Sequence, residues 1–224
     1  MGIQVLPSML AADWGFLSDA AKRCEACGAD QLHLDVMDGH FVPNLSFGPD
    51  FVKMCRRSVK IPLDVHLMLS RPDLYIDRFA DAGADAISIH VEADCDIAAA
   101  LDAIRARGIK AAVVLKPKTP AEAVLPLLGK FDYALVMTVE PGYGGQSFMR
   151  DMLPKITALA KISAAAAQPF PIMVDGGIGT ETAALCYAAG ATQFVAGSSL
   201  FKAADMKVAI EAMRNACASA AGEV

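Results

Sequence analysis

Short runs of β-branched and apolar residues alternate with longer, Ala-rich amphipathic stretches along the whole chain, and this alternation constrains the fold more than any other feature. Eight runs read as strands: 3–9, 31–37, 63–69, 86–91, 110–116, 133–139, 171–175 and 193–197. Most are separated by the length that one helix and two loops require, while the second-to-third and sixth-to-seventh gaps are longer and predict loop insertions there. Glycine follows the helical stretches in CGAD (27–30), AGAD (82–85), RGIK (107–110) and AGAT (189–192), where it suits the left-handed residue that ends a helix before the next strand begins. Eight such units with no linker or shift in composition favour one closed (β/α)8 TIM barrel spanning residues 1–224 over an open doubly wound sheet.

Four of the polar residues in these apolar strands are metal-ligand types at strand positions that can converge. His33 and Asp35 lie in LHLDVMDG, His66 in LDVHLML and Asp175 in IMVDGG. Strand residues two apart project from one face, so His33 and Asp35 can aim at a common point, with neighbouring strands completing a cage. Two imidazoles and two carboxylates without a thiolate suit one borderline divalent ion per subunit, Zn, Fe, Mn or Co. All four fall late in their strands, at the end of a barrel where working residues collect.

Composition narrows the partners. The net charge of −5 and the lack of Lys/Arg clusters argue against a nucleic-acid surface. No apolar run has the length of a membrane span, and the opening MGIQVLPSML lacks a basic segment ahead of its apolar residues, so no membrane association and a cytoplasmic location are expected. The six cysteines are too sparse for a disulfide scaffold; Cys24 and Cys27 form a C-x-x-C inside a helical run, without the second pair that a zinc site needs, and reduced thiols are expected.

Six ordered motifs, PSMLAAD (7–13), LHLDVMDGHFVPN (32–44), HLM (66–68), MTVEPGYGGQSF (137–148), VDGGI (174–178) and AGSS (196–199), cover nearly the whole chain. Together they resemble the ribulose-phosphate 3-epimerase family. That resemblance implies a ribulose-phosphate-binding type of barrel and a metal-dependent enzyme, dimeric or hexameric, that inverts C3 of ribulose 5-phosphate to give xylulose 5-phosphate. It also implies His33, Asp35, His66 and Asp175 as metal ligands, with Asp35 and Asp175 doubling as the acid/base pair. The residues fit this chemistry: a hydrogen α to a ketone is too weakly acidic for an unaided carboxylate, so a cation must stabilise the enediolate, and inversion requires a second carboxyl group on the opposite face.

The substrate, a phosphorylated ketose, would be held by Ser8, His66, the PGYGGQ loop (Gly142, Tyr143, Gly144, Gly145), Asp175, Gly176, Gly177, Gly197 and Ser198. Glycine loops let backbone approach an anion, which is how an acidic chain can bind a sugar phosphate without a basic patch. Ser8 lacks the partners of a nucleophile, and the resemblance implies that this position binds substrate hydroxyls. Met37, Met68 and Met137 are candidates for an apolar lid over the enediolate as well as for core filling. His40 and His90 read as structural, with a contact behind the ligands as the other option.

Three other readings stand beside this one. D-allulose 6-phosphate is the alternative substrate, kept open by Ser199, where pentulose enzymes more often carry Ala. Lys116 offers a Schiff-base aldolase route, although its expected role is a strand-end charge near the mouth. A non-catalytic sugar-phosphate binder would have no use for two opposed carboxyl groups.

Overall fold

The computed structural model describes residues 2–220. Eight parallel strands form a nearly closed barrel: β1 (Gln4–Pro7), β2 (Leu32–Met37), β3 (Leu63–Met68), β4 (Ala86–His90), β5 (Lys110–Leu115), β6 (Tyr133–Met137), β7 (Ile172–Asp175) and β8 (Gln193–Ala196). They are hydrogen-bonded in the order β1-β8-β7-β6-β5-β4-β3-β2. The seam between β1 and β2 is bridged at Ser8 and His33, and Asp30 joins it by accepting from the Val5 amide at 2.7 Å.

Helices surround the barrel: α1 (Leu17–Ala26), α2 (Pro49–Ser58), α3 (Ile76–Asp81), α4 (Ile97–Ala106), α5 (Leu153–Ala165), α6 (Thr180–Ala188), α7 (Ser198–Phe201) and α8 (Met206–Ala220). The expected unit after β5 departs from the pattern. It is a 3₁₀ segment, Ala121–Leu127, because Pro126 has no N–H to give to an α-helical ladder and its ring crowds the preceding turn. The expected glycines do end helical stretches with positive φ; at Gly83 a Cβ would also lie 2.7 Å from the Arg56 side chain.

Each strand sorts its side chains by the two-residue period. Leu32, Leu34 and Val36 of β2 pack outward into the layer beneath the helices, a core that includes Val5, Leu63, Val65, Leu67, Ile87 and Ile89. The alternate set fills the barrel: Leu6, Ala86, Ala112, Val114, Tyr133, Leu135, Met137, Met173 and Val195 form a second cluster. The polar residues of β2 and β3 follow the inward phase, and the pairing register puts His33 beside Asp64, Asp35 beside His66, and Met37 beside Met68.

Candidate active site

Strands β2, β3 and β7 bring His33, Asp35, His66 and Asp175 together, with one candidate ligand atom from each lying within 4.8 Å of the others; His33, the second residue of β2, sits earlier in its strand than expected. Strand register explains this convergence: Asp35 pairs with His66 across β2 and β3, and Asp175 tops β7 between Met137 and Val195. His33 and His66 are fully buried, Asp35 nearly so, and the Asp175 side chain keeps 17% exposure toward the mouth.

Nearly every polar atom here is engaged. The Ser8 hydroxyl donates to Asp35 Oδ2 at 2.6 Å. His33 Nδ1 lies 2.7 Å from Asp64 Oδ2, while its Nε2 faces Asp35 Oδ1 at 3.3 Å and Asp175 Oδ2 at 3.9 Å without making a hydrogen bond. His66 Nδ1 is 3.3 Å from Asp35 Oδ1, and its Nε2 is 3.0 Å from His90 Nε2.

The electrostatics separate the two carboxyl groups. Burial would raise Asp35, but His33 and His66 outweigh it and hold its carboxyl well below the usual range. Asp175 has less help: burial, then the nearby Asp35 charge, push it up to about 6. Burial would likewise lower His33, yet Asp35 and Asp64 keep it well above the ordinary imidazole value. His90, further inside, is brought down to about 4, chiefly by burial.

A cavity opens above this cluster. Ser8, Asp35 and Asp175 reach it, as do Gly142, Tyr143, Gly144 and Gly145 after β6, Gly176 and Gly177 after β7, and Gly197 and Ser198 after β8. Met37, Met68 and Met137, each almost fully buried, form its apolar wall. His33 and His66 lie behind Asp35 and do not line it. Gly177 has φ +66°, and a Cβ there would stand 2.5 Å from the Phe148 amide nitrogen, so the loop after β7 packs against the loop after β6 only without a side chain.

The two long loops anticipated from the sequence meet at this mouth. Asn44 donates its side-chain amide to the Gly142 carbonyl at 2.8 Å, and the Tyr143 hydroxyl donates to the Pro43 carbonyl at 2.8 Å. Lys116, one residue past β5, places its ammonium 3.6 Å from the centre of the Phe41 ring, a cation–π contact outside the main cavity. His40 is exposed and turns back to the Asp38 carbonyl. His90, by contrast, sits directly behind His66, so the contact option holds for it.

Sequence reasoning missed Asp64, Tyr133 and Glu92. The Tyr133 hydroxyl donates to Asp64 Oδ1, completing that carboxylate behind His33. A signal existed for two of the three: Asp64 and His66, like His90 and Glu92, repeat the two-residue polar spacing of His33 and Asp35 in otherwise apolar runs. Tyr133 carried no such mark.

Comparison with known proteins agrees with the geometry. The chain matches the ribulose-phosphate 3 epimerase family over residues 4–201. It is 45% identical over 213 residues to ribulose-phosphate 3-epimerase of Bacillus subtilis (strain 168), covering 95% of this chain and 98% of that one. It is 49% identical over 200 residues to ribulose-phosphate 3-epimerase of Rhodobacter capsulatus, covering 89% and 86%. Among solved structures, KGPDC from Streptococcus mutans superposes with a TM-score of 0.73 at 16% identity, over 98% of this chain and 99% of that one, a likeness of fold. With its fold, its clustered ligand set and these relatives in agreement, the chain belongs to the ribulose-phosphate 3-epimerase family and is an epimerase.

Proposed function

We propose that this enzyme, acting as one domain, interconverts D-ribulose 5-phosphate and D-xylulose 5-phosphate by moving a proton off one face of C3 and onto the other. The observation that carries the reading is the convergence of two carboxyl groups from separate strands, Asp35 on β2 and Asp175 on β7, on one small cavity.

His33 Nε2 supports a metal site, because it is a buried ring nitrogen with no hydrogen-bond partner, aimed at two carboxylates. His33, Asp35, His66 and Asp175 would hold one divalent ion of the Zn, Fe, Mn or Co class. When bound, such an ion supplies the positive charge that makes the α-hydrogen acidic enough to remove.

The remaining work falls to the chain itself. Asp35, steadied by the Ser8 hydroxyl, is placed to accept the C3 proton, and Asp175, reaching the same cavity from a separate strand, to deliver one. In the reverse reaction the roles exchange. Met37, Met68 and Met137 exclude water from the reacting carbons. The backbone of Gly176, Gly177, Gly197 and Ser198, bordering the same cavity, grips the phosphate, with the 142–145 loop closing over it.

Proton NMR of ribulose 5-phosphate with the enzyme in D₂O tests this. Deuterium entry at C3 with xylulose 5-phosphate appearing, both abolished by a chelator, is the expected result. Exchange that survives complete metal removal sinks the metal site, and faster conversion of D-allulose 6-phosphate moves the substrate assignment. The six cysteines, all free and four of them buried, fit a reducing cytoplasm. A homo-oligomer, dimer or hexamer, completes the proposal, and light scattering of the purified protein checks it.

A further inference from the structure

The two candidate ligand imidazoles are turned in opposite senses. His33 gives Nδ1 to Asp64 and turns Nε2 toward Asp35 and Asp175. His66 does the reverse, with Nδ1 toward Asp35 and Nε2 against His90 Nε2 at 3.0 Å. Two ring nitrogens in contact need one proton between them, so one ring must donate and the other accept.

The direction of that bond is set two residues further on. His90 Nδ1 lies 3.2 Å from Glu92 Oε2. The other carboxylate oxygen, Oε1, accepts from the Lys116 amide at 2.9 Å and from the Thr119 hydroxyl. An ionised carboxylate only accepts, so His90 carries its proton on Nδ1 and leaves a lone pair on Nε2. The proton shared by the rings therefore belongs to His66 Nε2. That leaves the His66 Nδ1 lone pair facing the four-residue cluster.

We propose that His90 and Glu92 are positioning residues that fix His66 in the Nε2–H tautomer and so present its Nδ1 as the ligand atom, the proposal resting on the metal-site reading above. The relay ties the site to the loop after β5 through Glu92. His33 reaches the complementary state through Asp64 alone, in a single step.

Glu92→Gln discriminates, because it is nearly isosteric. Its carbonyl oxygen must stay with the Lys116 amide and Thr119, so its NH₂ faces His90 Nδ1 and donates. His90 then carries its proton on Nε2, which pushes the His66 proton onto Nδ1, the atom needed for the ion. Zinc affinity of the full-length protein by competition with a chromogenic chelator is expected to fall about 10–100-fold in Glu92→Gln and in His90→Phe. His90→Gln, whose carbonyl can still accept from His66, should keep most of it. Long-range ¹H–¹⁵N spectra of the zinc-loaded parent should show the His66 proton on Nε2 and the His90 proton on Nδ1.

Unchanged zinc affinity in Glu92→Gln and His90→Phe, both folded by near-ultraviolet circular dichroism, overturns the proposal and leaves the metal site standing. Equal losses in His90→Gln and His90→Phe also overturn it, since ring bulk rather than an acceptor would then matter. A parent protein that binds no zinc, manganese, cobalt or ferrous ion defeats the metal site and this inference together.

Discussion

The mouth of the barrel has two halves built from different materials. On one side, β2, β3 and β4 carry His33, Asp35, His66 and His90 as side chains, buried and locked by neighbouring polar groups. On the other, the loops after β6, β7 and β8 contribute mostly backbone, through Gly142, Gly144, Gly145, Gly176, Gly177 and Gly197. The difference suits the roles proposed for the two halves. Proton transfer needs groups with defined charge held within fractions of an ångström, which rigid strands supply. Holding an anion needs many N–H donors at close range, which only loops without side chains offer. The strand half should thus be sensitive to charge at constant volume, and the loop half to volume at constant charge.

The largest expected effect is at Asp175, the strand carboxyl at the top of β7 that faces the strand half from the loop side. Asp175→Asn keeps the shape and removes the proton carrier, so kcat should fall by about 10²–10⁴-fold, measured by coupled assay of xylulose 5-phosphate. An Asp175→Asn enzyme with near-parental kcat would end the two-carboxylate mechanism. Next comes Gly177→Ala on the loop half. A Cβ at φ +66°, 2.5 Å from the Phe148 nitrogen, forces the loop to shift, and a strain of about 2 kcal/mol corresponds to roughly a 30-fold rise in KM. A loss confined to kcat would erase the division between the halves.

Ser8→Ala is an intermediate case, because Ser8 both lines the cavity and donates to Asp35. Loss of one bond to a charged group, about 1.5–3 kcal/mol, predicts roughly a tenfold or greater loss of kcat/KM. A change in KM alone would make Ser8 a binder only.

A stability measurement sharpens the same contrast. In the chelated protein the raised pKa of Asp175 means that the folded form holds more protons than the unfolded chain. Its contribution is full below the ordinary value of 3.8 and is lost as pH climbs through about 6. His33, also raised, acts in the same direction, so Asp175→Asn isolates the carboxyl. At pH 8 the chelated variant should be more stable than its parent by about 3 kcal/mol, roughly 6–12 °C in Tm, with the gap closing as pH falls from about 6 to 3.8. No gap at pH 8 would mean that Asp175 is not strained by its neighbour. The smallest effect is expected from Gly144→Ala: its φ is ordinary and a Cβ there meets nothing within 4 Å, so stability should change by less than about 0.5 kcal/mol.

Much of this site could be read before folding because strands convert spacing into direction. His33 and Asp35, two apart in an apolar run, have one inward face available, and Asp175 tops a strand of the same kind. The same rule was present at Asp64, two residues before His66, and again at His90 and Glu92, where it marked partners of the candidate ligands. Lys116 shows the opposite case. Its position past β5 was legible, but its contact with Phe41 was not, because the 38–48 loop returns over the mouth along a path that local propensity does not specify.

By itself the sequence determined the eight strands, the phase of their inward faces and the chemical types gathered at their ends, because period and residue type are local properties that each segment carries alone. The tertiary structure decided which nitrogen of each histidine faces the cluster, that Asp64 and Tyr133 brace His33 while His90 and Glu92 brace His66, and that a 3₁₀ turn replaces the helix after β5. The histidine pairings join residues from separate strands, and only the closed barrel, with its fixed register, brings their atoms within hydrogen-bond reach.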